Sequence, residues 1–300
     1  MVGLDLEDEQ PYVTALTNNG AELYLGLNVE DDTTSNLRHQ IVRILENGQI
    51  SSSYGEDICE NSLQEIRAMA YMTQDILVST LADAYVILSS QDLDQNKVYQ
   101  AFEPVSGTPF TADTNMDALL VDGSVAYLGF GYTDAHGVMK LNVDYTAGVI
   151  SMSVTWLKWF QNNALVLAPD DYSFPTDLVL GTFDTAAIYV FSSHATTLGY
   201  SSFVKPLSIS TGADQGETLF LHGLLSTANP KGGQLATYST GLAEKIISCV
   251  NYYDEFNVIS HVVFMSDEKY SGLPWSTPNL KYLLPVGSDD HMCVGIKVVS

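Results

Sequence analysis

Short segments in which apolar and polar residues alternate run along nearly the whole chain, and clusters of Gly, Asp, Asn, Ser and Pro separate them. This pattern is typical of β-strands joined by turns, because side chains of a strand point alternately to the two faces of a sheet. Helical periodicity is almost absent. The best exception is residues 61–72, for which a strand is favoured over a helical turn. The sequence therefore predicts an all-β fold.

A tyrosine in an apolar segment follows a turn signal at six places, which recur about every 40 to 60 residues. Three of the turn signals are Asn19-Gly20, Asp122-Gly123 and Gly232-Gly233. A repeat of this length indicates units that bury their apolar faces by stacking on neighbours. We expect five of the tyrosines to lie on the second strands of successive units: Tyr24, Tyr85, Tyr127, Tyr189 and Tyr282. The pattern supports the same position for Tyr238 less strongly.

Two pairs of segments match each other and give nearly the same spacing. Residues 75–90 match residues 177–193 with an offset of 102, and residues 23–27 match residues 126–130 with an offset of 103. Each offset equals two units of about 51 residues, so the members of each pair are predicted to lie two units apart.

A strand with one basic residue among apolar ones follows several of the tyrosine segments. These strands are predicted at 41–45, 138–141, 203–207 and 295–299. A long basic side chain can cover apolar surface with its stem while its charged head reaches water. Residues 148–156 are interpreted as a fourth strand, so that each unit is predicted as inner strand, tyrosine strand, basic strand and outer strand.

With these motifs the chain resembles the broad β-propeller repeat families, whose units read apolar strand, Asp-Gly or Asn-Gly turn, Tyr-Val or Tyr-Leu followed by Gly, and apolar-Lys-Leu strand. The resemblance implies a single β-propeller domain over residues 1–300, with about six four-stranded blades and with five or seven as alternatives. The ring would be closed by an N-terminal strand, residues 1–6, which leaves no open sheet edge. The approximate blades are 12–60, 64–110, 116–160, 164–215, 217–256 and 258–300 together with 1–6.

The net charge of the chain limits the classes of partner that it can bind. Twelve Lys and Arg residues against 36 Asp and Glu residues give a formal net charge of −24. Such a charge repels phosphate backbones and anionic lipid surfaces, so nucleic acid and direct membrane adsorption are excluded as partners. The longest apolar runs are also far shorter than the roughly 18 residues that span a bilayer, which excludes direct membrane insertion.

An extracellular or cell-surface location is favoured over a cytoplasmic one. Lys and Arg are scarce, and Tyr, Ser, Thr and Gly are abundant. Residues 297–300 read as a strand after which the polypeptide would continue, or whose end is tied into a sheet. The first residues show no signal-peptide pattern, and no asparagine lies in an N-x-Ser/Thr sequon. The cysteines Cys59, Cys249 and Cys293 allow at most one disulfide within the chain.

One segment has the spacing of a calcium loop. Asp92, Asp94 and Asn96 place oxygen side chains at alternate positions, and Glu103 lies where the twelfth, bidentate ligand would be. Lys97 occupies the position at which such a loop has glycine, and its charge would oppose the ion. A calcium site is therefore the alternative to an ordinary polar hairpin, and no other cofactor is predicted.

The remaining candidate residues have structural interpretations beside the functional ones. The acidic runs 30–32, 170–171 and 289–290 could serve glycoside hydrolysis, but aspartates are also common in turns. His136 begins a predicted third strand, where a hydrogen-bonded structural histidine is favoured. Trp156, Trp159 and Phe160 form an aromatic cluster that could contact a protein or a sugar, although packing within the fold is favoured.

These observations predict no catalytic residue and no cofactor-binding residue. The function predicted from the sequence is a non-enzymatic structural or adhesive propeller module, part of a larger surface or filamentous assembly, whose partners are proteins or further copies of itself. The alternatives are a glycan-acting propeller enzyme that uses channel carboxylates, and an intracellular protein-interaction scaffold.

Overall fold

The computed structural model describes residues 9–31, 37–50, 66–72, 75–80, 84–88, 115–132, 135–146, 149–160, 174–183, 186–196, 199–216, 218–220, 229–239, 241–253, 259–266 and 281–286. Every regular element in these ranges is a β-strand. The strands are β1 Glu9–Asn18, β2 Leu23–Asp31, β3 Leu37–Ile44, β4 Ile66–Met72, β5 Asp75–Thr80, β6 Ala84–Leu88, β7 Asn115–Asp122, β8 Val125–Tyr132, β9 Ala135–Thr146, β10 Val149–Phe160, β11 Phe174–Leu180, β12 Ala187–Thr196, β13 Gly199–Ser208, β14 Leu219–Phe220, β15 Asn229–Ser239, β16 Glu244–Tyr253, β17 Ile259–Met265 and β18 Lys281–Val286.

The strands form five sheets in which consecutive strands are neighbours. Sheet 1 is β1-β2-β3, sheet 2 is β4-β5-β6, sheet 3 is β7-β8-β9-β10, sheet 4 is β11-β12-β13-β14 and sheet 5 is β15-β16-β17-β18. The registered pairs of sheets 1, 2, 4 and 5 are antiparallel, so these sheets are meanders, and sheet 3 has the same consecutive strand order. The predicted all-β fold class is confirmed: the chain is built from consecutive meander sheets, as a β-propeller is. The blade number and the closure of the ring by residues 1–6 stay predictions.

Two of the predicted turns are glycine turns. Gly20, between β1 and β2, has a φ of 94°, and Gly123, between β7 and β8, has a φ of 61°. These φ values are readily adopted by glycine because it has no Cβ. Asn-Gly and Asp-Gly therefore set the two hairpins locally, as the sequence predicts.

The predicted basic strands are the third strands of their sheets where the structure describes them. Arg43 lies on β3, Lys140 on β9 and Lys205 on β13. Residues 149–160 form β10, the predicted fourth strand, and residues 66–72 form a strand and not a helix. In sheets 1, 3 and 4 the basic residue thus lies on the third strand, as predicted. In sheet 3 the predicted fourth strand follows it.

The tyrosine prediction is correct for Tyr24 on β2, Tyr127 on β8 and Tyr189 on β12, which are second strands. It is wrong for the other three: Tyr85 lies on β6, a third strand, Tyr238 on β15, a first strand, and Tyr282 on β18, a fourth strand. The reason is that a turn followed by an apolar segment specifies a strand but not its position in the sheet. Residues 75–80 accordingly form a second strand, although the matching residues 177–180 belong to a first strand.

Sheet 5 differs from its sequence interpretation in two respects. It extends from Asn229 to Val286, across the predicted blade boundary near residues 256–258. Gly232 and Gly233 lie inside β15 and do not form a turn. A Cβ on Gly233 would be 2.6 Å from the carbonyl oxygen of Cys249 and 2.8 Å from the Phe191 ring, so glycine here permits close packing. The other blade limits stay predictions.

The chain forms two compact units, residues 1–128 with 141–155 and residues 129–140 with 156–300. In the first unit, Ala15, Tyr24, Ile41, Ile66, Met69 and Ile76 form a buried apolar cluster between sheets 1 and 2. In the second unit, a cluster between sheets 4 and 5 contains Ala187, Tyr189, Phe191, Val204, Leu219, Leu235, Ile246 and Val250. Among the residues described, no helix is long and apolar enough to cross a membrane.

Candidate functional site

Asp177 is one of two carboxylates at the junction of sheets 4 and 5. Asp177 is on β11, immediately after a register shift between Pro175 and Asp177, and such a bulge redirects the side chains beside it. Its Oδ1 accepts a hydrogen bond from the N–H of Leu178 at 2.9 Å, and its Oδ2 accepts one from the N–H of Leu235 on β15 at 2.5 Å. Both oxygens of the carboxylate are thus held by the backbone of two first strands.

The environment of Asp177 favours its protonated form. Burial raises the pKa of this carboxyl to about 6, although the hydrogen bonds from Leu235 and Leu178 act in the opposite direction. Desolvation destabilises the charged carboxylate more than two backbone donors stabilise it. A carboxyl with a pKa near 6 can both give and take a proton close to neutral pH, which is the property of a general acid.

Other polar side chains join consecutive sheets in the same way without being ionisable. In the first unit, Asn28 is fully buried; its Oδ1 accepts from the N–H of Ile66 at 3.0 Å, and its Nδ2 donates to the Ile66 carbonyl at 3.2 Å. Ser79 donates to the carbonyl oxygen of Met116 at 2.8 Å. Asp177 therefore has a structural role, and its carboxyl adds a titratable group to that role.

A second buried carboxylate, Glu244, holds the connection between β11 and β12. Its side chain is fully buried. Oε1 accepts from the N–H and, at 2.8 Å, from the hydroxyl of Thr182, and also from the N–H of Phe183 at 3.3 Å. Oε2 accepts from the hydroxyl of Tyr189 at 2.7 Å. All of these donors belong to sheet 4 or its connection, whereas Glu244 begins β16 of sheet 5.

A carboxylate also accompanies the repeated tyrosine in sheet 1. Tyr24 donates to Glu22 at 2.9 Å, and Glu22 is paired with Arg43. Burial, followed by the hydrogen bond to Glu22, raises the pKa of Tyr24 to about 12, and the hydrogen bond from Arg43 is the main reason that the pKa of Glu22 is lowered. The predicted second-strand tyrosines are thus buried rings, and in sheets 1 and 4 their hydroxyls are bound to a glutamate.

Lysines converge on the loop after β13, in a protein with only twelve basic residues. Lys158 and Lys205 contact the two oxygens of Asp214 at 2.8 and 3.1 Å, and Lys140 donates to the carbonyl of Ile209 at 3.1 Å. Burial alone would raise the pKa of Asp214, but hydrogen bonds from Lys158 and then Lys205 outweigh it and lower the pKa. This arrangement anchors the loop to β9, β10 and β13.

The predicted aromatic residues take part in packing within the second unit. Trp156 donates to the Ile209 carbonyl at 3.0 Å, and its ring lies against Gly212. Trp159 packs at 4.9 Å, ring centre to ring centre, on Phe130 in an edge-to-face geometry. Phe160 is buried and packs on Phe203 and on His136. A role for Trp156, Trp159 and Phe160 in binding a partner stays a prediction.

His136 is the second residue of β9, the predicted third strand, and its ring is buried between Phe160 and Phe203. The ring contributes to the aromatic packing of the second unit. The packing agrees with a structural role for His136, and the hydrogen bond that the sequence interpretation includes stays a prediction.

The candidate calcium ligands Asp92, Asp94, Asn96 and Glu103 lie outside the described residues. Within the described ranges, no three His, Cys, Asp or Glu side chains are arranged to hold a metal ion. Of the acidic runs considered above, 170–171 and 289–290 also lie outside these ranges, and Glu30 and Asp31 are the last residues of β2 and not part of a loop. Cys249, buried on β16, is disulfide-bonded.

Sequence reasoning missed Asp177 and Glu244. Each is a lone acidic residue beside an apolar strand segment and belongs to no catalytic motif, although Asp177 begins the segment 177–193 that matches residues 75–90. The sequence signal that could have found them is their position. An acidic residue next to strand-forming apolar residues lies either on an exposed face or buried with partners. The partners of Asp177 and Glu244 come from strands about sixty residues away, so the sequence does not reveal them.

No protein-family model and no curated relative matches the chain. Among solved structures, it is similar to an exo-β-1,3-galactanase from Clostridium thermocellum, with 12% identity and a TM-score of 0.43 over 89% of this chain and 60% of that one. It is also similar to a GH32 β-fructofuranosidase from Bombyx mori in complex with sucrose, with 8% identity and a TM-score of 0.39 over 89% of this chain and 62% of that one. The chain thus spans about three fifths of each of these proteins.

These comparisons correct the function predicted from the sequence. The prediction of a non-enzymatic structural or adhesive module is wrong by this finding, since both similar structures are those of glycosidases. They correspond to the alternative, a glycan-acting enzyme. The sequence favours the other function because its paired acidic residues belong to no recognisable catalytic motif, and a fold by itself does not specify a function.

Proposed function

We propose that this protein acts on glycans and hydrolyses glycosidic bonds, with Asp177 as the proton donor. The observation that carries the proposal is the position of Asp177: a carboxyl on a first strand, at the junction with the next first strand, with a pKa raised to about 6 by burial. Glycosidases use a carboxylic acid with a raised pKa to protonate the leaving oxygen.

The proposed step is protonation of the glycosidic oxygen by Asp177. The carboxyl of Asp177 gives its proton to the glycosidic oxygen as the bond from that oxygen to the anomeric carbon breaks, and water supplies the hydroxyl group of the new reducing end. The remaining proton of that water passes to the solvent, from which Asp177 is protonated again for the next turnover. The hydrogen bonds from Leu178 and Leu235 fix the carboxyl plane while the donation occurs. Because the acid must be protonated, we expect activity to fall as the pH rises through about 6.

The activity is tested by incubating the protein at pH 5 with a panel of polysaccharides and oligosaccharides, including β-1,3-galactan and sucrose, and measuring released reducing sugar. We expect turnover of at least one glycan, and a fall in kcat of about 10²- to 10⁴-fold in Asp177→Asn, the usual size of a general-acid contribution. Asp214→Asn is the matched control in the same unit, because Asp214 is bound by Lys158 and Lys205 and is not part of the proposed chemistry.

Two results would contradict the proposal. One is the absence of turnover across the panel with folded protein. The other is an Asp177→Asn variant that keeps the activity and the pH profile of the parent. Circular dichroism on each variant separates loss of chemistry from loss of fold.

We also propose that the protein functions outside the cytoplasm. The support is the disulfide at Cys249, because disulfides persist in oxidising compartments and are rare in the cytosol. We expect that alkylation under native, non-reducing conditions leaves Cys249 unmodified and that reduction lowers the stability by about 2 to 4 kcal/mol. Peptide mapping with and without reductant measures the first, and chemical denaturation measures the second. Quantitative alkylation of unreduced Cys249 after denaturation would refute this location.

A further inference from the structure

Sheet 1 has an exposed apolar patch, which consists of the side chains of Val13, Leu16, Leu23 and Ile50. Their exposed fractions are 57%, 58%, 41% and 60%. Within the described ranges, two other large apolar residues are exposed, and both belong to the other compact unit. Scattered apolar residues are normal on a protein surface, whereas a group of them on one face is typical of an interaction site.

The strand register places the β1 and β2 members of the patch on one face of the sheet. Leu16 pairs with Leu25, and Val13 pairs with Leu27. Leu23, Leu25 and Leu27 alternate along β2 and so point to the same face, which their cross-strand partners share. The register shift after Val13 adds one residue to β1. This bulge puts Val13 and Leu16, three positions apart, on the same side.

Ile50 completes the patch beside Leu23. Leu23 pairs with Ile44 on β3, and Ile44 is bridged to Ile50. The turn between these two isoleucines is closed by backbone hydrogen bonds and has Gly48 at a φ of 79°. The opposite face of sheet 1, with Tyr24, packs on sheet 2. The fold thus holds the patch in place, and a partner does not have to order it on binding.

An acidic depression adjoins the patch at the end of sheet 1. Its volume is about 470 Å³, and its lining residues are Ala21, Glu22, Leu45, Glu46 and Asn47. Glu22 directly precedes Leu23 of the patch, and its carboxylate is paired with Arg43. Glu46 is exposed, and the described residues form no ion pair with it. The carboxylate of Glu46 is therefore open to a positive charge from a partner.

We infer that the apolar patch and the acidic depression together bind a partner protein, through a segment in which apolar residues alternate with lysine or arginine. The apolar side chains of this segment cover the patch, and one of its basic side chains pairs with Glu46. The net charge of −24 favours a basic partner. A second copy of this chain would bring the same negative charge and its own Glu46 to the contact, so self-association through this face is opposed.

The test uses a short synthetic peptide of alternating leucine and lysine as the probe, and a second peptide with glutamate in place of each lysine as its control. Binding to the whole chain is measured by isothermal titration calorimetry at low and at physiological salt. We expect the leucine–lysine peptide to bind, more weakly at the higher salt, and the leucine–glutamate peptide not to bind. The inference does not depend on the proposed hydrolysis, and no glycan is needed to measure it.

Variants separate this surface from the overall charge. Leu16→Ser and Leu23→Ser are each expected to weaken binding of the leucine–lysine peptide by at least about 10-fold, and Glu46→Gln by about 5-fold. Leu242→Ser is the matched apolar control, because Leu242 is 76% exposed in the other compact unit. Asp122→Asn is the charge control, because Asp122 is exposed in the turn of sheet 3. Both controls should change the affinity by less than about 2-fold.

Three outcomes would overturn the inference. The first is no binding of the leucine–lysine peptide, or equal binding of the leucine–glutamate peptide. The second is an equal loss of affinity in the patch variants and in the two controls, since the net charge alone would then explain the binding. The third is a dimer in sedimentation that Leu16→Ser abolishes, since the patch would then bind a second copy. The replaced leucines are exposed, so both patch variants are expected to fold, and either of them decides the question if circular dichroism shows that the other does not.

Discussion

Replacing Glu244 by alanine is expected to destabilise the protein by about 3 to 5 kcal/mol. The substitution removes the acceptor of four donors: the N–H and hydroxyl of Thr182, the N–H of Phe183 and the hydroxyl of Tyr189. Because Glu244 is fully buried, water does not replace it without opening the junction of sheets 4 and 5. The free energy of unfolding from chemical denaturation measures the effect.

Glu22→Ala is the matched control, since Glu22 also accepts from the hydroxyl of a repeated tyrosine. The side chain of Glu22 is 18% exposed and that of Arg43 is 23% exposed, so water can reach the donors, and a loss of about 1 kcal/mol is expected. A double-mutant cycle of Glu244→Ala with Tyr189→Phe should give a coupling of at least about 1 kcal/mol. Equal losses for Glu244→Ala and Glu22→Ala would show that burial does not set the strength of these contacts.

The second large effect is expected for Gly137→Ala on β9. A Cβ at this position would lie 2.2 Å from the carbonyl oxygen of Lys158 on β10 and 2.7 Å from the ring of Phe130. The first contact is with backbone, which cannot rotate away, so the strands must move apart. We expect a destabilisation of about 3 kcal/mol, at the upper end of overpacking effects.

Gly26→Ala is the control for this prediction. Its Cβ would be 3.1 Å from Cγ2 of Ile66 and 3.2 Å from the sulfur of Met69, and these side-chain atoms can shift by a few tenths of an ångström. A loss below about 1.5 kcal/mol is expected. Tryptophan emission gives a local measurement, because Trp159 packs on the Phe130 ring that Gly137→Ala would displace. Unchanged emission together with unchanged stability would show that the close approach at Gly137 is not required.

The part of the site that could be predicted from the sequence is small. The packing interpretation of Trp156 and Phe160 agrees with their contacts, and the candidate His136 at the start of β9 packs on Phe160. Asp177 could not be recognised, because its raised pKa comes from burial against β15 and from the donor of Leu235. Neither can be read from the residues that flank Asp177 in the chain.

The sequence alone determined the features that depend on a few neighbouring residues. Alternation of apolar and polar residues predicted strands, Asn19-Gly20 and Asp122-Gly123 predicted hairpins, and single basic residues marked third strands. These are local because side-chain direction in a strand and the φ of a glycine are set within a few residues. Only the tertiary structure decided that Tyr85 lies on a third strand, that Gly233 serves close packing, and that Asp177 and Glu244 join sheets 4 and 5. The reason is that strand pairing and burial depend on residues distant in the chain, which change a carboxyl's environment without changing its sequence neighbours.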